Sequence, residues 1–404
     1  MNSVSKMKSQ LIRGFIFACT ENTEAECFER LLFGTDRVYA PIVIRIRKGD
    51  LLFLNNLETD ILHGVFRAVS EGTLNIQPDA WKGKYPYQVK VEPVGERIVL
   101  KDAMKILNKM KIKRNTPIFC EKLLSFLDVL APNSALSNPE LWAIEAMIKE
   151  RRNEVDIDEE IPIIESTTLW DFPRQSYGLT PKGNNKYPGV TPALIIYNLI
   201  WRYTEIGALV VDPMCGSGTT IDVCKEEKRE VAGLDISPPF RHDEIQSDAR
   251  HIPIKDGCAD MVFIDSPYGD NVRYNEHLGC ICDISSETEE FYDELEKIMV
   301  ESHRIMKEGK VLGWLIGDQW VKKKFTPVGL KVYERLCRHF EPLEIVCVTR
   351  RGQSSNTGVW HNRARRFNFF LRGFKYLIIV RKPLRDQPPL KQSRKVEWNH
   401  YERE

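Results

Sequence analysis

The 404-residue sequence contains no apolar run of the roughly 18–20 residues that a membrane-spanning helix needs. Its first ten residues also lack the apolar stretch of a signal peptide. The sequence also has little excess charge, with a formal net charge of +1. A net charge near zero argues against a protein that binds polyanions over its whole surface. With 42% hydrophobic residues, the chain can bury a large core. We therefore expect a cytoplasmic globular protein with no membrane partner.

The ten cysteines form no repeated C-x-x-C pattern. One residue separates Cys280 from Cys282, which is the wrong spacing for a zinc knuckle, and no nearby His or Cys cluster could complete four ligands. The pattern predicts reduced, buried thiols and no metal site.

Glutamine is scarce and charged residues make up 28% of the chain, a composition that suggests a thermophilic source. The charge is unevenly distributed. Residues 349–404 carry 14 Lys or Arg against four Asp or Glu, whereas residues 153–171 carry seven acidic residues and no basic one. A basic end on a neutral protein is typical of a local nucleic-acid surface or of a solvated tail.

Three regions of the chain differ in their patterns. Residues 1–95 contain short β-type runs and one helical stretch, residues 23–32, and predict a small β-barrel domain. The predicted strands cover residues 14–17, 42–46, 51–54, 62–66 and 88–91. Residues 96–160 predict a helical connector with an acidic, proline-containing end. Residues 161–385 alternate strands with helices and predict an α/β domain, and residues 386–404 form a basic tail.

A glycine-rich turn follows the apolar strand at residues 207–211 and leads directly into a helix. In a doubly wound sheet, ligands bind at such a turn, beyond the carboxyl ends of the strands. Gly216 and Gly218 let the backbone approach a ligand, and the helix beginning near Thr219 offers unpaired N–H groups. About 20 residues later, a second strand ends in Asp235, the place for an acid that accepts hydrogen bonds from ribose hydroxyls. The turn lacks the signatures of phosphate loops and of nicotinamide enzymes.

A second polar turn follows the predicted buried strand at residues 261–264, with the sequence Asp265-Ser266-Pro267-Tyr268. The exocyclic amino nitrogen of a base is a poor nucleophile because its lone pair is delocalised into the ring. Asp265 can accept one of its N–H bonds and the Ser266 carbonyl, directed by Pro267, the other, which favours an sp³-like nitrogen and stabilises charge in the transition state. Tyr268 can stack on a base that is unpaired or extruded.

The string from Asp212 to Thr220 resembles the cofactor motif of the nucleic-acid amino-methyltransferases, and the Asp265 motif is similar to the Asp-Pro-Pro-Tyr and Ser-Pro-Pro-Tyr motifs of that family. The resemblance covers about residues 166–382. It implies a Rossmann-like, seven-stranded methyltransferase domain that binds S-adenosyl-L-methionine, whose sulfonium group permits direct transfer without a protein nucleophile or a metal.

The same resemblance implies a set of cofactor-binding residues, with Asp235 on the ribose, Asp248 near the adenine amino group and the segment 187–192 flanking the cofactor. The full set is Asp212, Pro213, Met214, Cys215, Gly216, Gly218, Thr219, Thr220, Asp235, Ile236, Asp248, Ala249 and Thr191. Ser266 stands where the family has proline, which leaves the choice among adenine N6, cytosine N4 and guanine N2 open.

Polar and aromatic residues around the two motifs are candidates for substrate contacts. Residues 271–274 would form the mouth of a base pocket, and arginines beside the predicted closing strands, residues 367–371 and 376–380, suit phosphates or form a solvated surface. These candidates are Asn271, Arg273, Tyr274, Arg350, Arg351 and Arg365. Trp320 is a second stacking candidate, with simple packing as the alternative.

Several strings in the first region, among them RGFIFAC, GDLLFL, LHGVF and GTLNIQPDAW, resemble the development and cell death (DCD) domain. That family is similar to small β-barrels that include the RNA-binding PUA and YTH modules. The resemblance implies an accessory RNA-binding domain with Trp81 and Lys84 as contacts, unless Trp81 belongs to the core.

A compact module before a minimal catalytic domain is the layout of RNA-modifying enzymes, whereas DNA amino-methyltransferases add a large domain to read base edges. The whole chain resembles archaeal-type DCD-fused amino-methyltransferases. This implies structured RNA as the partner, with cytosine N4 of ribosomal RNA or of a small-subunit precursor as the leading target for one or two methyl groups. A tRNA guanine-N2 enzyme, a DNA adenine-N6 or cytosine-N4 enzyme, and an RNA-binding scaffold without turnover remain open.

Overall fold

The computed structural model describes two compact units. The described residues are 12–114, 116–131, 138–150, 161–178, 180–187, 189–239, 241–268, 279–321, 324–349 and 358–384. The first unit covers the chain to Ser166 together with residues 174–182 and 192–202. The second covers residues 167–173, residues 183–191 and the chain from Tyr203 onward.

The first unit contains a six-stranded sheet in the order β1-β3-β4-β6-β2, with β5 paired to β6. Its strands are β1 (Gly14–Cys19), β2 (Leu32–Thr35), β3 (Leu51–Asn56), β4 (Ile61–Ala68), β5 (Thr73–Leu74) and β6 (Tyr87–Leu100). The long strand β6 changes partner, because residues 91–100 pair with β4 and residues 87–90 pair with β2 and β5. Strands β1 and β2 are the two edges of this sheet, and within the described residues they do not pair with each other. The predicted barrel is therefore not closed by hydrogen bonds.

Helix α1 (Glu21–Arg30) confirms the helix predicted in this region. The strand predicted over residues 42–46 is wrong, because helix α2 (Ala40–Val43) and a turn occupy this stretch. Pro41 lies in the first turn of α2, where its missing N–H removes no helical hydrogen bond. Ile42, Val43, Ile44 and Ile46 are all buried, and a run of five residues in which only Arg45 is polar is too short for its periodicity to distinguish a strand from a helix.

The region predicted as a connector belongs instead to the first unit. Its helices are α3 (Ala103–Lys109), α4 (Cys120–Leu130) and α5 (Pro139–Glu150), and α6 (Ala193–Tyr203) adds residues 193–202 to the same unit. Leu123, Phe126 and Leu127 of α4 pack in one core with Leu51 and Phe53 of β3. Buried residues of α3, α4 and α5 share this core with the sheet, so these three helices are part of the first unit and not a separate linker.

The second unit has an eight-stranded sheet in the order β10-β9-β8-β11-β12-β16-β15-β7. Its strands are β7 (Leu169–Trp170), β8 (Leu209–Asp212), β9 (Glu230–Asp235), β10 (Glu244–Gln246), β11 (Ala259–Asp265), β12 (Met306–Ile316), β15 (Glu341–Thr349) and β16 (Phe374–Arg381), and β13 (Gln319–Val321) pairs separately with β14 (Lys324–Thr326). The sheet therefore has one strand more than the seven predicted, because the two-residue β7 pairs with the edge of β15.

The helices of the second unit are α7 (Thr219–Glu226), α8 (Glu289–Ile305), α9 (Val328–Leu336) and α10 (Gly358–Arg366). Apolar faces of α8 and α9 pack against β11, β12 and β16 in one core. Strands β8 to β12 are parallel to one another. In the sheet, β9 and β10 follow on one side of β8, whereas β11 and β12 follow on its other side, so the strand order reverses between β8 and β11. Ligands of such sheets bind where the order reverses, beyond the carboxyl ends of the strands.

Two further sequence predictions are wrong. Residues 367–371 form no strand, and the antiparallel strands that close the sheet are β15 and β16. Cys280 and Cys282 are buried as predicted, yet they form a disulfide bond because the short helical turn after Cys280 brings the two Cα atoms to 5.1 Å, within the range of disulfides. Among the described residues, no helix has the length and apolar character that crossing a membrane requires.

Candidate active site

Three carboxylates stand at the carboxyl ends of neighbouring parallel strands. Asp212 ends β8, Asp235 ends β9 and Asp265 ends β11. The strands are adjacent in the order β9-β8-β11, so these side chains share the edge of the sheet where the order reverses. The sequence predicted all three residues for the site, and the fold brings them to one edge.

Asp212 stabilises the glycine-rich turn from inside the protein. Its Oδ1 accepts a hydrogen bond from the backbone N–H of Met214 at 3.1 Å, and its Oδ2 accepts one from the hydroxyl of Thr220. Only 3% of the residue is exposed, and burial raises the pKa of Asp212 to about 7, with Asp235 and Asp265 adding to the rise and the two hydrogen bonds opposing it. Asp212 therefore shapes the turn.

Most other side chains of the turn also point into the protein. Thr219 and Thr220 are buried, the buried environment of Cys215 raises the pKa of its thiol, and Met214 packs against the core of the unit. Pro213 is buried as well. The turn can therefore offer a ligand mainly its backbone.

Gly216 and Gly218 both have positive φ, +46° and +78°, a conformation that side-chain-bearing residues rarely adopt. A Cβ on Gly216 would lie 2.8 Å from the Tyr187 ring, and one on Gly218 would lie 2.7 Å from the Arg241 side chain. The turn therefore requires glycine at both positions.

Asp235 has the environment of a ribose acceptor. Its Oδ2 accepts the N–H of Gly216 at 3.0 Å and its Oδ1 accepts the N–H of Ser237 at 2.9 Å, which fixes the carboxylate beside the glycine-rich turn. The residue is half-exposed, and each carboxylate oxygen can accept a second hydrogen bond. This arrangement fits a bound nucleoside. Ile236 follows it, half-exposed, with its carbonyl accepting a hydrogen bond from Gln246.

Asp248 and Ala249 lie one strand further along the chain, after β10. The Arg250 guanidinium contacts both oxygens of Asp248, with Nη2 at 2.7 Å from Oδ2. Although burial opposes it, hydrogen bonding to Arg250 holds the pKa of Asp248 below its usual value. Ala249 is buried. Asp248 thus already accepts hydrogen bonds from Arg250. An adenine amino group that bound to Asp248 would have to donate to the same carboxylate.

Asp265 is held from two sides by residues distant in the sequence. The hydroxyl of Thr191 donates a hydrogen bond to Oδ2 at 2.7 Å, and the ammonium group of Lys375 lies 3.0 Å from Oδ1 and 3.2 Å from Oδ2. The side chains of Asp265 and Lys375 are 12% and 17% exposed, so the ion pair is largely shielded from water. Thr191, which the sequence predicts as a cofactor residue, contacts the carboxylate of Asp265.

Lys375 was not among the site residues predicted from the sequence. It is the second residue of β16, just before an apolar run, and nothing in the local pattern sets it apart from other surface lysines. Because β16 is antiparallel to β12, its first residues lie at the edge where β12 ends, with Tyr376 opposite Ile316. The strand pairing alone identifies Lys375 as a site residue.

Ser266 turns its hydroxyl away from solvent. The indole N–H of Trp314 donates a hydrogen bond to Ser266 Oγ at 2.9 Å, and only 2% of Ser266 is exposed. Trp314 lies on β12, next to β11, in the core of the second unit. The serine that replaces the usual proline thus satisfies a buried N–H group, and what remains for a substrate is its backbone carbonyl.

Pro267 and Tyr268 complete the motif and are both half-buried. The Tyr268 ring lies 5.5 Å from the Lys375 ammonium group and packs against the core of the unit. Gly317, directly after β12, lies between them, since a Cβ there would be 3.7 Å from both the Tyr268 ring and the Lys375 stem. The small residue leaves room for Lys375 to reach Asp265.

The predicted substrate residues are more scattered. Arg365 is exposed on α10, and Trp320 is 40% exposed with its ring stacked on Phe369. Asn271, Arg273, Tyr274, Arg350 and Arg351 lie outside the described residues. In the first unit, Lys84 is exposed with its ammonium group over the Tyr85 ring, whereas Trp81 is 7% exposed and packs as a core residue.

Trp81 is fixed by its own contacts: its backbone N–H donates to Glu26 at 2.9 Å, and its ring fills the space beside Gly34. This packing favours the alternative given by the sequence, that Trp81 belongs to the core of the unit. No group of three His, Cys, Asp or Glu side chains could hold a metal ion in the part of the chain that the structure describes.

Two sequence families match the chain. Residues 13–115 match the profile of the development and cell death domain, which confirms the resemblance found in the first region. Residues 121–245 match a profile described as DNA methylase, of the N6/N4 methyltransferase type. The second match includes Asp212 and Asp235 and ends before Asp265.

Curated relatives match part of the chain. A DCD domain-containing protein, NRP-B of Glycine max, is 35% identical over 155 residues, which is 34% of this chain and 44% of the relative. The B2 protein of Daucus carota is 41% identical over 91 residues, or 21% of this chain and 44% of that protein. The alignments thus span less than half the length of these relatives.

Solved structures align with about half of the chain. The structure of TrmN from Thermus thermophilus is 14% identical and covers 48% of this chain and 50% of that one, with a TM-score of 0.33. A geranyl diphosphate methyltransferase in complex with SAM is 13% identical and covers 47% of this chain and 85% of that one, also with a TM-score of 0.33. The chain thus has one region similar to the development and cell death domain and one region similar to the N6/N4-type methyltransferases, and the second match supports S-adenosyl-L-methionine as the cofactor.

Proposed function

We propose that the protein is an S-adenosyl-L-methionine-dependent methyltransferase that acts on an exocyclic base amino group in structured RNA. Cytosine N4 of ribosomal RNA, or of a small-subunit precursor, is the leading target for one or two methyl groups. The proposal depends above all on Asp265, a shielded carboxylate that Thr191 and Lys375 fix at the carboxyl end of β11. Its neighbours at the same edge are the glycine-rich turn and Asp235.

The residues at this edge suit the cofactor. Asp235 retains acceptor capacity for the ribose hydroxyls, and the backbone of the turn is unhindered by side chains at Gly216 and Gly218. When bound, the cofactor supplies a methyl group that is activated for direct transfer to a nucleophile.

Asp265 would activate the base. A carboxylate has about four acceptor sites, so after binding Thr191 and Lys375 it can still accept an N–H bond from the amino group. The carbonyl of Ser266 would accept the second N–H bond. Together these acceptors localise the nitrogen lone pair and stabilise the positive charge that grows on the nitrogen as it takes the methyl group. As the carbon–nitrogen bond forms, the electron pair of the broken sulfur–methyl bond would stay on the cofactor's sulfur. Asp265 would then accept one N–H proton and pass it to solvent, which leaves a neutral methylamino group on the base.

Tyr268 would stack on the target base. Its half-buried ring lies beside Asp265 in the chain, and a base can reach it only when unpaired or extruded from a helix. Single-stranded loops and bulges of RNA present bases in this way, which supports RNA as the substrate. The first unit would hold the folded RNA with exposed basic residues such as Lys82 and Lys84.

DNA is the second candidate substrate, because the profile that matches residues 121–245 is described as a DNA methylase. Adenine N6 and cytosine N4 would then be the target atoms. A tRNA guanine-N2 activity fits the same acceptor pair, since guanine N2 is also an exocyclic amino group.

Transfer of a labelled methyl group separates these substrates. The protein is incubated with labelled S-adenosyl-L-methionine and either total RNA or genomic DNA from cells that lack the gene, and the labelled nucleosides are identified by mass spectrometry. We expect N4-methylated cytidine in ribosomal RNA. Label in DNA alone would disprove the RNA proposal, and label in guanosine of tRNA would move the target to N2.

The variant Asp265→Ala tests the catalytic role and the alternative of a scaffold without turnover. We expect methyl transfer to fall at least about a hundredfold, the loss seen when one transition-state hydrogen bond is removed. Cofactor binding, measured by calorimetry, should be unchanged. Loss of cofactor binding in this variant would contradict the assignment of Asp265 to the base, and wild-type protein without transfer on any nucleic acid would favour the scaffold.

A further inference from the structure

Exposed aromatic side chains are concentrated in one part of the second unit. Among the described residues of that unit, every exposed Trp, Phe or Tyr lies in residues 320–325 or 358–374. These six residues are Trp320, Phe325, Trp360, Phe367, Phe370 and Phe374. Phe370 is 81% exposed, and Phe367, three positions earlier, is 65% exposed. Clusters of exposed apolar side chains mark interaction sites.

Arginines are interleaved with these aromatics. Residues 358–374 contain four arginines and no acidic residue. The Arg363 guanidinium lies 5.1 Å from the Trp360 ring centre, and that of Arg366 lies 5.5 Å from the Phe367 ring centre. This pairing keeps planar cations and rings side by side at the surface. We call Trp320, Phe325 and residues 358–374 the aromatic–arginine surface.

Helix α10 has no packing face of its own. None of its nine residues is buried, and its last turn carries Arg363, Arg365 and Arg366. Helices of this length gain most of their stability from an apolar face packed on the protein. The helix therefore presents its residues outward, as expected of an element that contacts a partner.

The surface is continuous with the catalytic residues. Trp320 stacks on Phe369 with ring centres 6.5 Å apart, and the Arg372 guanidinium lies 5.1 Å from the Phe325 ring centre, so its two segments contact each other. Phe374 directly precedes Lys375, the partner of Asp265. A polymer on this surface would lead to the candidate active site.

We propose that the aromatic–arginine surface binds the single-stranded nucleotides that flank the target base. Four arginines without a nearby acid in the segment complement a phosphate backbone, and exposed rings stack on bases only where those bases are unpaired. The occupant is thus a single strand of RNA and not a duplex. This inference rests on one part of the proposed function, namely that the substrate is a nucleic acid.

Direct binding of oligonucleotides to the full chain tests the proposal without requiring methyl transfer. The probe is a fluorescein-labelled 12-nucleotide oligouridine, and its binding to the protein is measured by fluorescence anisotropy. In the double variant Trp360→Ala/Phe370→Ala, we expect about 5- to 150-fold weaker binding for each base that no longer stacks on a ring. Both side chains are exposed, so thermal unfolding should not change.

Trp142→Ala is the matched control, because Trp142 is exposed to a similar degree, 52% against 39% for Trp360, and lies in the first unit. It should bind the probe like the wild type. In Arg363→Gln/Arg366→Gln, the slope of log affinity against log salt should fall in magnitude by about 0.7 for each phosphate that is no longer neutralised.

Three results would overturn the proposal: unchanged oligouridine binding in the aromatic variant, equal binding of a 12-base-pair RNA duplex, or a change in solution mass in the variant without a change in RNA affinity. The last result would identify a protein–protein surface. Asp265→Ala should bind the probe normally. If the wild type methylates no RNA but the aromatic variant no longer binds oligouridine, the surface stands and only the proposed reaction fails.

Discussion

The Nζ atom of Lys375 lies 3.0 Å from Oδ1 and 3.2 Å from Oδ2 of Asp265, although the two residues are 110 positions apart in the chain. Strand β12 lies between their strands, and Lys375 crosses its end where Gly317 carries no side chain. With the hydroxyl of Thr191 on Oδ2, this ion pair fixes the carboxylate in one orientation. Lys375 is therefore a positioning residue for the proposed reaction.

Replacing this lysine tests its role. In Lys375→Met, kcat should fall about 10- to 100-fold, because a misplacement of about 1 Å at the reacting groups can cost on the order of a hundredfold. The affinity for the cofactor should be unchanged. Lys307→Met is the matched control, since Lys307 forms an ion pair with Asp260 at the other end of β11. Equal kcat in both variants and the wild type would exclude a positioning role.

Ser266 should stabilise the fold more than the reaction. In Ser266→Ala, the indole N–H of Trp314 is buried without a partner, so the free energy of unfolding should fall by about 1–3 kcal/mol. Methyl transfer at a permissive temperature should persist, because the backbone carbonyl remains. Urea denaturation measures the loss. Ser302→Ala is the control: in the described structure Ser302 Oγ is buried without a hydrogen-bond partner, so its removal should cost less.

Gly317 should tolerate only a small side chain. In Gly317→Ala, the added methyl group would lie 3.7 Å from Tyr268 and Lys375, an ordinary contact distance, so activity should be retained. In Gly317→Val, the larger side chain would displace both, and methyl transfer should fall by about tenfold or more while the cofactor still binds. Equal activity of the two variants would mean that Lys375 reaches Asp265 without needing the space beside Gly317.

Asp212 should make the fold less stable as the pH rises. Burial raises its pKa from 3.8 to about 7, so between these values the folded protein holds a proton that the unfolded chain has released. The contribution of Asp212 to the free energy of unfolding should therefore fall across pH 4–7 and level off above pH 7, by as much as about 4 kcal/mol.

Urea denaturation from pH 4 to pH 8 measures this dependence. Asp212→Asn removes the titrating group, and its stability relative to the wild type should rise with pH over the same window. Asp256→Asn is the control, because the Asp256 side chain is 76% exposed. A difference between Asp212→Asn and the wild type that is constant with pH would contradict the raised pKa.

Local patterns predicted much of the fold. The glycine-rich turn after β8, the acid that ends β9 and the motif that ends β11 all lie where the sequence indicated, because buried parallel strands give apolar runs that end abruptly in polar turns. Short apolar segments were less informative. Residues 42–46 are helical and turn-forming instead of extended, since five residues with Arg45 as the one polar position are too few to show a period.

The sequence by itself determined which chemistry is present: a turn that requires glycine at positions 216 and 218, and an acid at position 265 followed by a directed carbonyl. Only the tertiary structure decided what surrounds that acid. Thr191, Trp314 and Lys375 come from three distant segments. The contacts of Trp314 with Ser266 and of Lys375 with Asp265 follow from strand order and register, whereas Thr191 lies in the loop before α6. Such contacts join residues whose local patterns are ordinary, because they depend on which strands pair and in which direction.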